Sequence, residues 1–268
     1  MPQLTINGAK LWVEDTRTGA ETIVFSHGLL WSGRMYDAQV AALRDRYRCV
    51  TFDFRGQGQS ERTAGGYDMD TLARDAEALI GELGVAPVHF VGLSMGGFIG
   101  MRLAARRPQL LRSLVLIATT ADPEPARNIP KYRFMSFISR FSFRPLVAPV
   151  MKIMFGDAFL ADPARREQRR AHEQHLINLD RTGTRHALDG VLTRAGVEQE
   201  LGGIKVPTLV LAGAGDRAVL PERQRHTAER IPGAQIEIIP RAGHTTTVEE
   251  PEAVNAALSA FLAKQRGA

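Results

Sequence analysis

One short motif constrains the fold of this chain more than any other feature. Residues 92–96 read G-L-S-M-G, which fits the pattern G-x-S-x-G, and they directly follow the strand-like run 88–91. Residues 95–106 have helical spacing, and Pro108 marks the end of that helix. A serine at such a strand-to-helix turn holds its hydroxyl above the edge of a sheet. The context therefore predicts that Ser94 is a nucleophile, rather than a serine in an ordinary glycine-rich turn.

Strand-like runs alternate with helical patterns along most of the chain. The predicted strands cover 11–14, 22–26, 48–53, 88–92, 114–118, 207–212 and 235–239. The predicted helices of this alternating part cover 71–83, 95–106, 221–230 and 251–264. Strands and helices in alternation predict an α/β fold, with a mostly parallel sheet that is covered by helices on both faces.

The stretch 122–203 interrupts the alternation, because it has helical spacings and no strand-like run. It holds six of the twelve phenylalanines. We expect it to form a helical cap over one end of the sheet, where functional insertions are commonly placed. Residues 1–121 and 204–268 would then form a single core, which fits a chain of 268 residues better than two independent domains.

A serine hydroxyl is a weak nucleophile and needs a general base within hydrogen-bond reach. Of the seven histidines, His244 is the best candidate, because it lies in the loop between the last predicted strand and the last predicted helix. That late position agrees with the chain order serine, acid, histidine. His172 and His175 lie three residues apart in the insertion, which predicts a polar helix face instead.

The acid that orients the histidine should follow a strand and precede the histidine. Asp216 follows the predicted strand 207–212 and precedes His244 by 28 residues, which leaves room for one helix and one strand. Asp122, just beyond the strand 114–118, is the rival, because some folds of this kind place the acid there. We predict Asp216 as the acid and keep Asp122 as the alternative.

A nucleotide cofactor is a competing interpretation of the loop before Asp216. Gly213, Gly215 and Ala218 have the spacing of a dinucleotide-binding fingerprint. However, Pro221 indicates that the next helix begins too late for the tight turn, and only about 50 residues follow. We expect no organic cofactor and no metal, and the single cysteine excludes a cysteine-based zinc site.

The loop after the strand 22–26 is the predicted source of an oxyanion hole. Residues 26–30 read S-H-G-L-L. We predict that the backbone N–H of Leu29 is one donor, with Leu30 as the alternative. The second donor is the N–H of the residue after the nucleophile, Met95.

Together these motifs resemble those of the α/β-hydrolase superfamily, in particular its lid-bearing carboxylesterase, lactonase and C–C hydrolase group. The matching stretches are 26–29, 53–60 (D-F-R-G-Q-G-Q-S), 92–97, 213–216 and 243–244. The resemblance implies an eight-stranded, mostly parallel sheet sandwiched by helices, with the cap inserted after the sixth strand. It also implies a triad of Ser94, Asp216 and His244, and a structural turn at 53–60. A serine at position 94 disfavours haloalkane dehalogenase and related epoxide hydrolase activities, since those enzymes carry aspartate there.

The activity expected from this resemblance is hydrolysis of carboxylic esters through an acyl-enzyme on Ser94. A lactonase and a hydrolase of C–C bonds remain alternatives, because they share the triad and differ in pocket shape. A receptor or signalling protein that retains the triad is the non-enzymatic alternative. Turnover that is lost on Ser94→Ala separates the enzyme from the receptor.

An apolar stripe in the insertion suggests the kind of substrate. Phe134, Phe137, Ile138 and Phe141 recur at helical spacing. Most of such a stripe is expected to pack on the core, while part of it could line an apolar pocket. We therefore predict that Phe134, Phe137, Phe141 and Leu30 contact the substrate, a short-to-medium or aryl hydrophobic ester.

The net charge of +5 suggests an anionic partner, but no nucleic-acid motif supports one. Arg165, Arg166, Arg169 and Arg170 have helical spacing and are expected to form a solvated helix face, with recognition of an acidic substrate as the alternative. No run is apolar and long enough to span a membrane, and the start of the sequence lacks a secretory pattern. We expect a cytoplasmic monomer or homodimer with a small-molecule substrate.

Overall fold

The computed structural model describes residues 3–265 and contains one eight-stranded sheet. The strands are β1 (Gln3–Ile6), β2 (Ala9–Asp15), β3 (Thr22–Ser26), β4 (Arg48–Phe52), β5 (Val88–Leu93), β6 (Leu111–Ile117), β7 (Thr208–Gly213) and β8 (Gln235–Ile239). The α-helices are α1 (Asp37–Leu43), α2 (Met69–Glu82), α3 (Met95–Arg106), α4 (Ile129–Ser139), α5 (Val147–Met154), α6 (Asp157–Ala161), α7 (Arg166–Ile177), α8 (Arg181–Leu192), α9 (Pro221–Glu229), α10 (Thr246–Glu249) and α11 (Pro251–Ala263).

The strand order across the sheet is β1-β2-β4-β3-β5-β6-β7-β8. The pairs β1–β2 and β2–β4 are antiparallel, and every pair from β4 to β8 is parallel. The predicted α/β class and the eight strands implied by the resemblance are confirmed. The sequence patterns missed β1, which pairs with β2 through a tight turn at Asn7 and Gly8, both with positive φ. Asn-Gly is a strong hairpin signal that the strand pattern alone did not use.

Both faces of the sheet are buried, as the parallel topology requires. Successive residues of β3 illustrate this, because Val24 packs into one hydrophobic core while Ile23 and Phe25 pack into the other. Helices α2, α3 and α9 cover the first core, and α1 and α11 cover the second. Because these strands are parallel, the carboxyl ends of β3, β5, β6 and β7 lie at one edge of the sheet, from which the loops of the candidate site extend.

The long insertion lies between β6 and β7 and is helical. No strand occurs between Ile117 and Thr208, a stretch that lies wholly within the described residues. Met151, Phe155 and Leu176 of the insertion are buried in the same core as α1 and α11. The helical character of 122–203 agrees with the prediction. The division into a core and a cap at residues 122 and 203 stays a prediction, and the outer ends of the proposed core lie outside the described residues.

The turn at 53–60 supports the neighbouring loops by hydrogen bonding. Asp53 accepts the N–H of Gly33 at 2.7 Å and the N–H of Gln59 at 2.8 Å. Gly58 has a φ of +56°, and a Cβ there would lie 2.0 Å from the Asp53 carboxylate. Arg55 forms a buried, two-pronged ion pair with Asp75, at 2.5 and 2.7 Å. The turn is structural, as the resemblance implied.

Candidate active site

Ser94 occupies a strained turn between β5 and α3. Its backbone has φ 52° and ψ −110°, a conformation that residues with a side chain rarely adopt. Two hydrogen bonds hold the turn: the Ser94 N–H donates to the Ile117 carbonyl at 2.8 Å, and the Thr119 hydroxyl donates to the Ser94 carbonyl at 2.8 Å. Such strain persists only where surrounding contacts over-determine the backbone, and it is typical of functional positions.

Three glycines allow the chain to make this turn. A Cβ on Gly96 would lie 1.9 Å from the Ser26 carbonyl oxygen, and one on Gly92 would lie 2.3 Å from the Gly96 carbonyl oxygen. A Cβ on Gly97 would lie 2.5 Å from the Thr119 side chain. Because all three clashes are with fixed parts of the fold, the glycines of the motif serve close packing between β3, β5 and α3.

Ser94, His244 and Asp216 lie in hydrogen-bonding contact. The Ser94 hydroxyl donates to His244 Nε2 at 2.9 Å. His244 Nδ1 donates to the Asp216 carboxylate at 2.9 and 3.1 Å. A carboxylate only accepts, so Nδ1 carries the ring proton and Nε2 is left as the acceptor that a general base requires. All three side chains are buried.

Asp216 is fixed by the loop that follows β7. One carboxylate oxygen accepts the N–H groups of Ala218 and Val219, each at 2.9 Å. The other oxygen accepts a hydrogen bond from the Gln224 side-chain amide at 3.0 Å. With the bonds from His244 added, the acceptor positions of this buried carboxylate are well filled, which holds its plane against the imidazole ring.

The rival acid is engaged elsewhere. Asp122 accepts hydrogen bonds from Arg223 at 3.0 Å and from the Thr120 hydroxyl at 2.9 Å. In the described part of the chain, Asp122 makes no hydrogen bond to His244. The structure thus brings Asp216 and not Asp122 to the histidine.

The glycines that imitate a nucleotide fingerprint have a packing role. A Cβ on Gly213 would lie 2.2 Å from the carbonyl oxygen of Gly243, the residue before His244. Helix α9 begins only at Pro221, as the sequence predicted. The glycine therefore allows the histidine loop to approach β7.

The loop after β3 holds the predicted oxyanion donor and its alternative. Leu30 donates its N–H to the Gln57 side chain at 2.9 Å, so it cannot serve as the alternative oxyanion donor. Within residues 3–265, the N–H groups of Leu29 and Met95 have no hydrogen-bond partner. Met95 is the first residue of α3, where N–H groups are left free and favour negative charge. The sequence predicted these two N–H groups as the oxyanion donors, and that role stays a prediction.

His27 holds this loop in place. The Gly28 carbonyl only accepts, so His27 Nδ1 donates to it, at 2.7 Å. Nε2 then accepts the N–H of Phe54 at 3.0 Å. Burial lowers the pKa of His27, which keeps the ring neutral and preserves its accepting nitrogen.

A cavity opens above Ser94 and His244. The space above these two residues is about 920 Å³ when the solvent in its open mouth is included. Its wall is mostly apolar and comes largely from the insertion, with Leu29 and Leu30 contributed by the loop after β3. The apolar lining includes Met135, Phe143, Leu146, Val150, Met154 and Leu188. Such a pocket fits a substrate with a hydrophobic body.

The prediction that Phe134, Phe137 and Phe141 line this pocket is wrong. All three side chains are more than half exposed. The opposite face of α4 lines the cavity instead, through Tyr132 and Met135 together with Ser136 and Ser139. Helical periodicity identified an apolar stripe but not the direction in which it faces. Leu30 does line the cavity, and its contact with a substrate stays a prediction.

Comparison with known proteins gives the family. Residues 21–251 match the family described as alpha/beta hydrolase fold. The chain belongs to this family. A Caulobacter protein that bears the provisional name carbamate hydrolase RutD is 31% identical over 244 residues, which cover 90% of each chain.

Two solved structures of this family are similar over nearly the whole chain. A thermophilic esterase from Thermogutta terrifontis has a TM-score of 0.90 and 28% identity and covers 98% of both chains. The enol-lactonase of Burkholderia xenovorans has a TM-score of 0.89 and 28% identity, over 98% of this chain and 100% of its own. The family and these relatives support a hydrolase enzyme.

Sequence reasoning missed the charged residues of this α/β-hydrolase pocket. Arg194 and Glu124 line it as a pair at 3.3 Å, and the Arg194 guanidinium lies 4.2 Å from the centre of the Phe98 ring. Desolvation lowers the pKa of Arg194 to about 10, so it stays protonated at neutral pH. Arg185 also lines the pocket. Nothing in the local sequence distinguishes these arginines from the many others.

The four arginines singled out in the insertion do not line the cavity. Arg166 and Arg170 are exposed, as expected for a solvated face. Arg165 instead donates to the Glu249 carbonyl at 2.5 Å, and Arg169 donates to the carbonyls of Phe159 and Asp162.

His172 and His175 do not form a polar helix face. His175 stacks on Trp31 at 5.2 Å and forms a 2.7 Å hydrogen bond with the Leu30 carbonyl. His172 packs edge-on against Trp31 at 5.3 Å and against Phe155 at 5.0 Å. Desolvation lowers the pKa of His172 to about 4, with a smaller contribution from His175.

Among residues 3–265, three side chains form a group of potential metal ligands. Atoms of Asp122, Glu198 and His226 lie within 4.8 Å of one another. Arg223 donates to Asp122, and Arg230 donates to His226 and pairs with Glu198. The arginines already balance these acidic groups, so we assign no metal to the cluster.

Among residues 3–265, no helix combines the length and the hydropathy that a membrane span requires.

Proposed function

We propose that this α/β-hydrolase cleaves carboxylic esters through an acyl-enzyme on Ser94. The observation that carries the proposal is the 2.9 Å contact between the Ser94 hydroxyl and His244 Nε2 at the base of an apolar cavity. An apolar wall favours esters with a short-to-medium alkyl or an aryl group. A relative named as an esterase, similar over 98% of both chains, adds support.

Acylation would begin when Ser94 Oγ attacks the ester carbonyl carbon and gives its proton to His244 Nε2. The carbonyl electron pair moves to oxygen, and the N–H groups of Leu29 and Met95 would stabilise that negative charge. Asp216 would stabilise the imidazolium that forms. When the tetrahedral intermediate collapses, the alcohol leaves with the proton from His244.

Deacylation would repeat these steps with water. The oxygen of a water molecule attacks the acyl carbon while His244 takes a proton from that water. His244 then gives the proton to Ser94 Oγ when the carbon–oxygen bond to the serine breaks. The products are the free acid, the alcohol and the original enzyme. The proposed steps need no group besides these residues and water.

A lactone is a second candidate substrate. The observation that favours it is the similarity to the enol-lactonase structure over 98% of this chain. A lactone is a cyclic ester, so the same residues would act in the same order, and the alcohol would stay attached to the acyl chain.

A substrate panel beside Ser94→Ala tests the proposal. 4-Nitrophenyl esters of two to twelve carbons, a γ-lactone and an aryl carbamate are compared by kcat/KM. We expect the highest value for an ester or the lactone, a rise and then a fall with ester chain length, and a loss of about 10³-fold or more in Ser94→Ala.

Each part of the proposal can fail separately. Full activity of Ser94→Ala would remove the proposed nucleophile. Equal kcat/KM values at all ester chain lengths would contradict the hydrophobic preference. A higher kcat/KM on the carbamate than on the esters and the lactone would indicate a carbamate hydrolase. Binding without turnover would favour the receptor.

A further inference from the structure

We infer that Arg185 binds a carboxylate group of the substrate, at a position remote from the ester bond that is cleaved. The inference rests on the proposed function and narrows it to esters or lactones that carry a second, acidic group. It concerns α8 of the insertion, which contributes Arg185 to the wall of the same cavity that exposes Ser94 and His244.

The side chain of Arg185 is unpaired. It is partly buried, and its Nε atom is inaccessible to solvent and without a hydrogen-bond partner. Within residues 3–265, no hydrogen bond or ion pair involves its guanidinium. Asp189, one turn further along α8, is exposed and forms no ion pair with it.

Other arginines withdrawn from solvent within residues 3–265 have partners, which are backbone carbonyls for Arg169 and acidic side chains for those that follow. Arg55 pairs with Asp75 at 2.5 Å, and Arg102 pairs with Asp70 at 2.8 Å. Arg185 departs from this pattern. A buried polar group that lacks a partner costs free energy, and in a native structure it calls for an explanation.

No acid of the cavity is free to serve Arg185. Glu124 is the carboxylate that lines it, and both of its oxygens are engaged: one accepts from Asn128 at 2.8 Å and the other from Arg194 at 3.3 Å. The Glu124–Arg194 pair is neutral overall. Arg185 therefore gives the cavity an excess positive charge inside a mostly apolar wall.

A carboxylate is the group that fits such a side chain. The guanidinium presents parallel N–H donors that match the two oxygens of a carboxylate, and the pair is stronger where water is excluded. The apolar side chains that line most of the cavity suit an alkyl linker. The substrate class inferred is thus an ester or lactone with a hydrophobic middle and a terminal carboxylate.

Matched pairs of esters test the inference. We would use the 4-nitrophenyl monoesters of glutaric, adipic, pimelic and suberic acids, and the same compounds with the free carboxyl group methylated. Nitrophenolate release reports cleavage of the same bond in both. At the best chain length, we expect the acid to have a kcat/KM about ten- to a hundredfold above its methylated counterpart.

Two variants locate the effect. Arg185→Met keeps the length of the side chain, and on this variant the kcat/KM of the acid should fall to that of its methylated counterpart measured on the same variant. Arg170→Met removes an exposed arginine of the same insertion and should keep the preference. Retained hydrolysis of the methylated esters shows that a variant is folded.

The result that would overturn the inference is equal hydrolysis of acid and methylated ester by the unaltered enzyme at every chain length. A preference that persists in Arg185→Met would overturn it as well. Neither result contradicts the proposed ester hydrolysis. The proposed function would instead be contradicted by activity that survives Ser94→Ala. If Arg185→Met does not fold, the comparison on the unaltered enzyme still decides.

Discussion

Gly156 and Gly243 donate their backbone N–H groups to the same oxygen of the Glu249 carboxylate, at 2.8 and 2.9 Å. Gly243 precedes His244, and Gly156 belongs to the insertion. The other oxygen of Glu249 accepts from the Thr245 hydroxyl at 2.9 Å. One fully buried carboxylate therefore connects the histidine loop to the insertion. We regard Glu249 as a positioning residue, because it touches neither Ser94 nor the cavity.

Replacing Glu249 with glutamine tests this connection. An amide oxygen can still accept from the two glycines, and the amide NH2 group then meets the Thr245 hydroxyl, which can donate to the Met154 carbonyl at 3.1 Å instead. The two buried glycine N–H groups therefore exchange a charged acceptor for a neutral and weaker one. We expect the free energy of unfolding to fall by about 1–3 kcal/mol. Displacement of His244 should lower kcat/KM by about ten- to a hundredfold.

Glu250→Gln is the matched control for Glu249→Gln. Glu250 is the next residue, and its carboxylate forms a weak ion pair, at 3.5 Å, with the largely exposed Arg241. Its replacement should change stability by less than about 0.5 kcal/mol. Urea unfolding and steady-state kinetics measure both variants, and equal effects at the two positions would contradict the positioning role.

The residues proposed for catalysis could be predicted because each has a local signal. Ser94 lies in a motif with a strand before it and a helix after it, and Asp216 and His244 each follow a predicted strand. The carboxyl ends of parallel strands meet at one edge, so the order of the elements was sufficient to place them together.

The substrate pocket could not be predicted, because it depends on tertiary packing. The spacing of Phe134, Phe137 and Phe141 predicts that they share one helix face, although α4 ends at Ser139 and Phe141 lies in the turn after it. Only the packing of this segment on its neighbours decides that the three side chains are exposed. Arg185 and Glu249 likewise carry no local signal. Their roles follow from which partners they have, and the partners lie far away in sequence.

The buried ion pair between Arg55 and Asp75 is predicted to be important for stability. Its side chains are 7% and 1% exposed, and Asn7 also donates to Asp75 at 2.8 Å. Asp75→Asn would leave a buried guanidinium without its counter-charge, so we expect a loss of about 3–5 kcal/mol. Arg62→Gln breaks an exposed pair with Asp180 and should cost less than about 1 kcal/mol. Urea unfolding at pH 7 compares the two, and similar losses would refute the prediction.

Stability should fall in mild acid because of His172. Its pKa is lowered to about 4 in the folded protein by desolvation, against an ordinary value of 6.5 in the unfolded chain. Between these values the unfolded chain binds more protons, so the free energy of unfolding decreases as pH falls from about 6.5 toward about 4. His27, whose pKa burial also lowers, acts in the same direction.

His172→Phe isolates this contribution. Phenylalanine keeps an aromatic ring against Trp31 and Phe155 and does not titrate. The difference in free energy of unfolding between the variant and the unaltered protein should shift in favour of the variant by on the order of 1–2 kcal/mol from pH 8 to pH 5. This amount is reduced because His172 is partly exposed to solvent. Urea titrations at the two pH values measure the change. If the two proteins differ in free energy of unfolding by the same amount at pH 8 and at pH 5, His172 does not cause the loss of stability in acid.

The strain at Ser94 predicts that activity and stability oppose each other at this residue. With φ 52° and ψ −110°, Ser94 has a backbone conformation that costs a residue with a Cβ on the order of 1–3 kcal/mol, whereas glycine adopts it more readily. Ser94→Gly should therefore unfold at a higher urea concentration than Ser94→Ala, although glycine loses more entropy on folding. Both variants lack the hydroxyl and should be equally inactive, so catalysis does not enter the comparison. If Ser94→Ala were the more stable of the two variants, the prediction that the backbone of residue 94 is strained would be wrong.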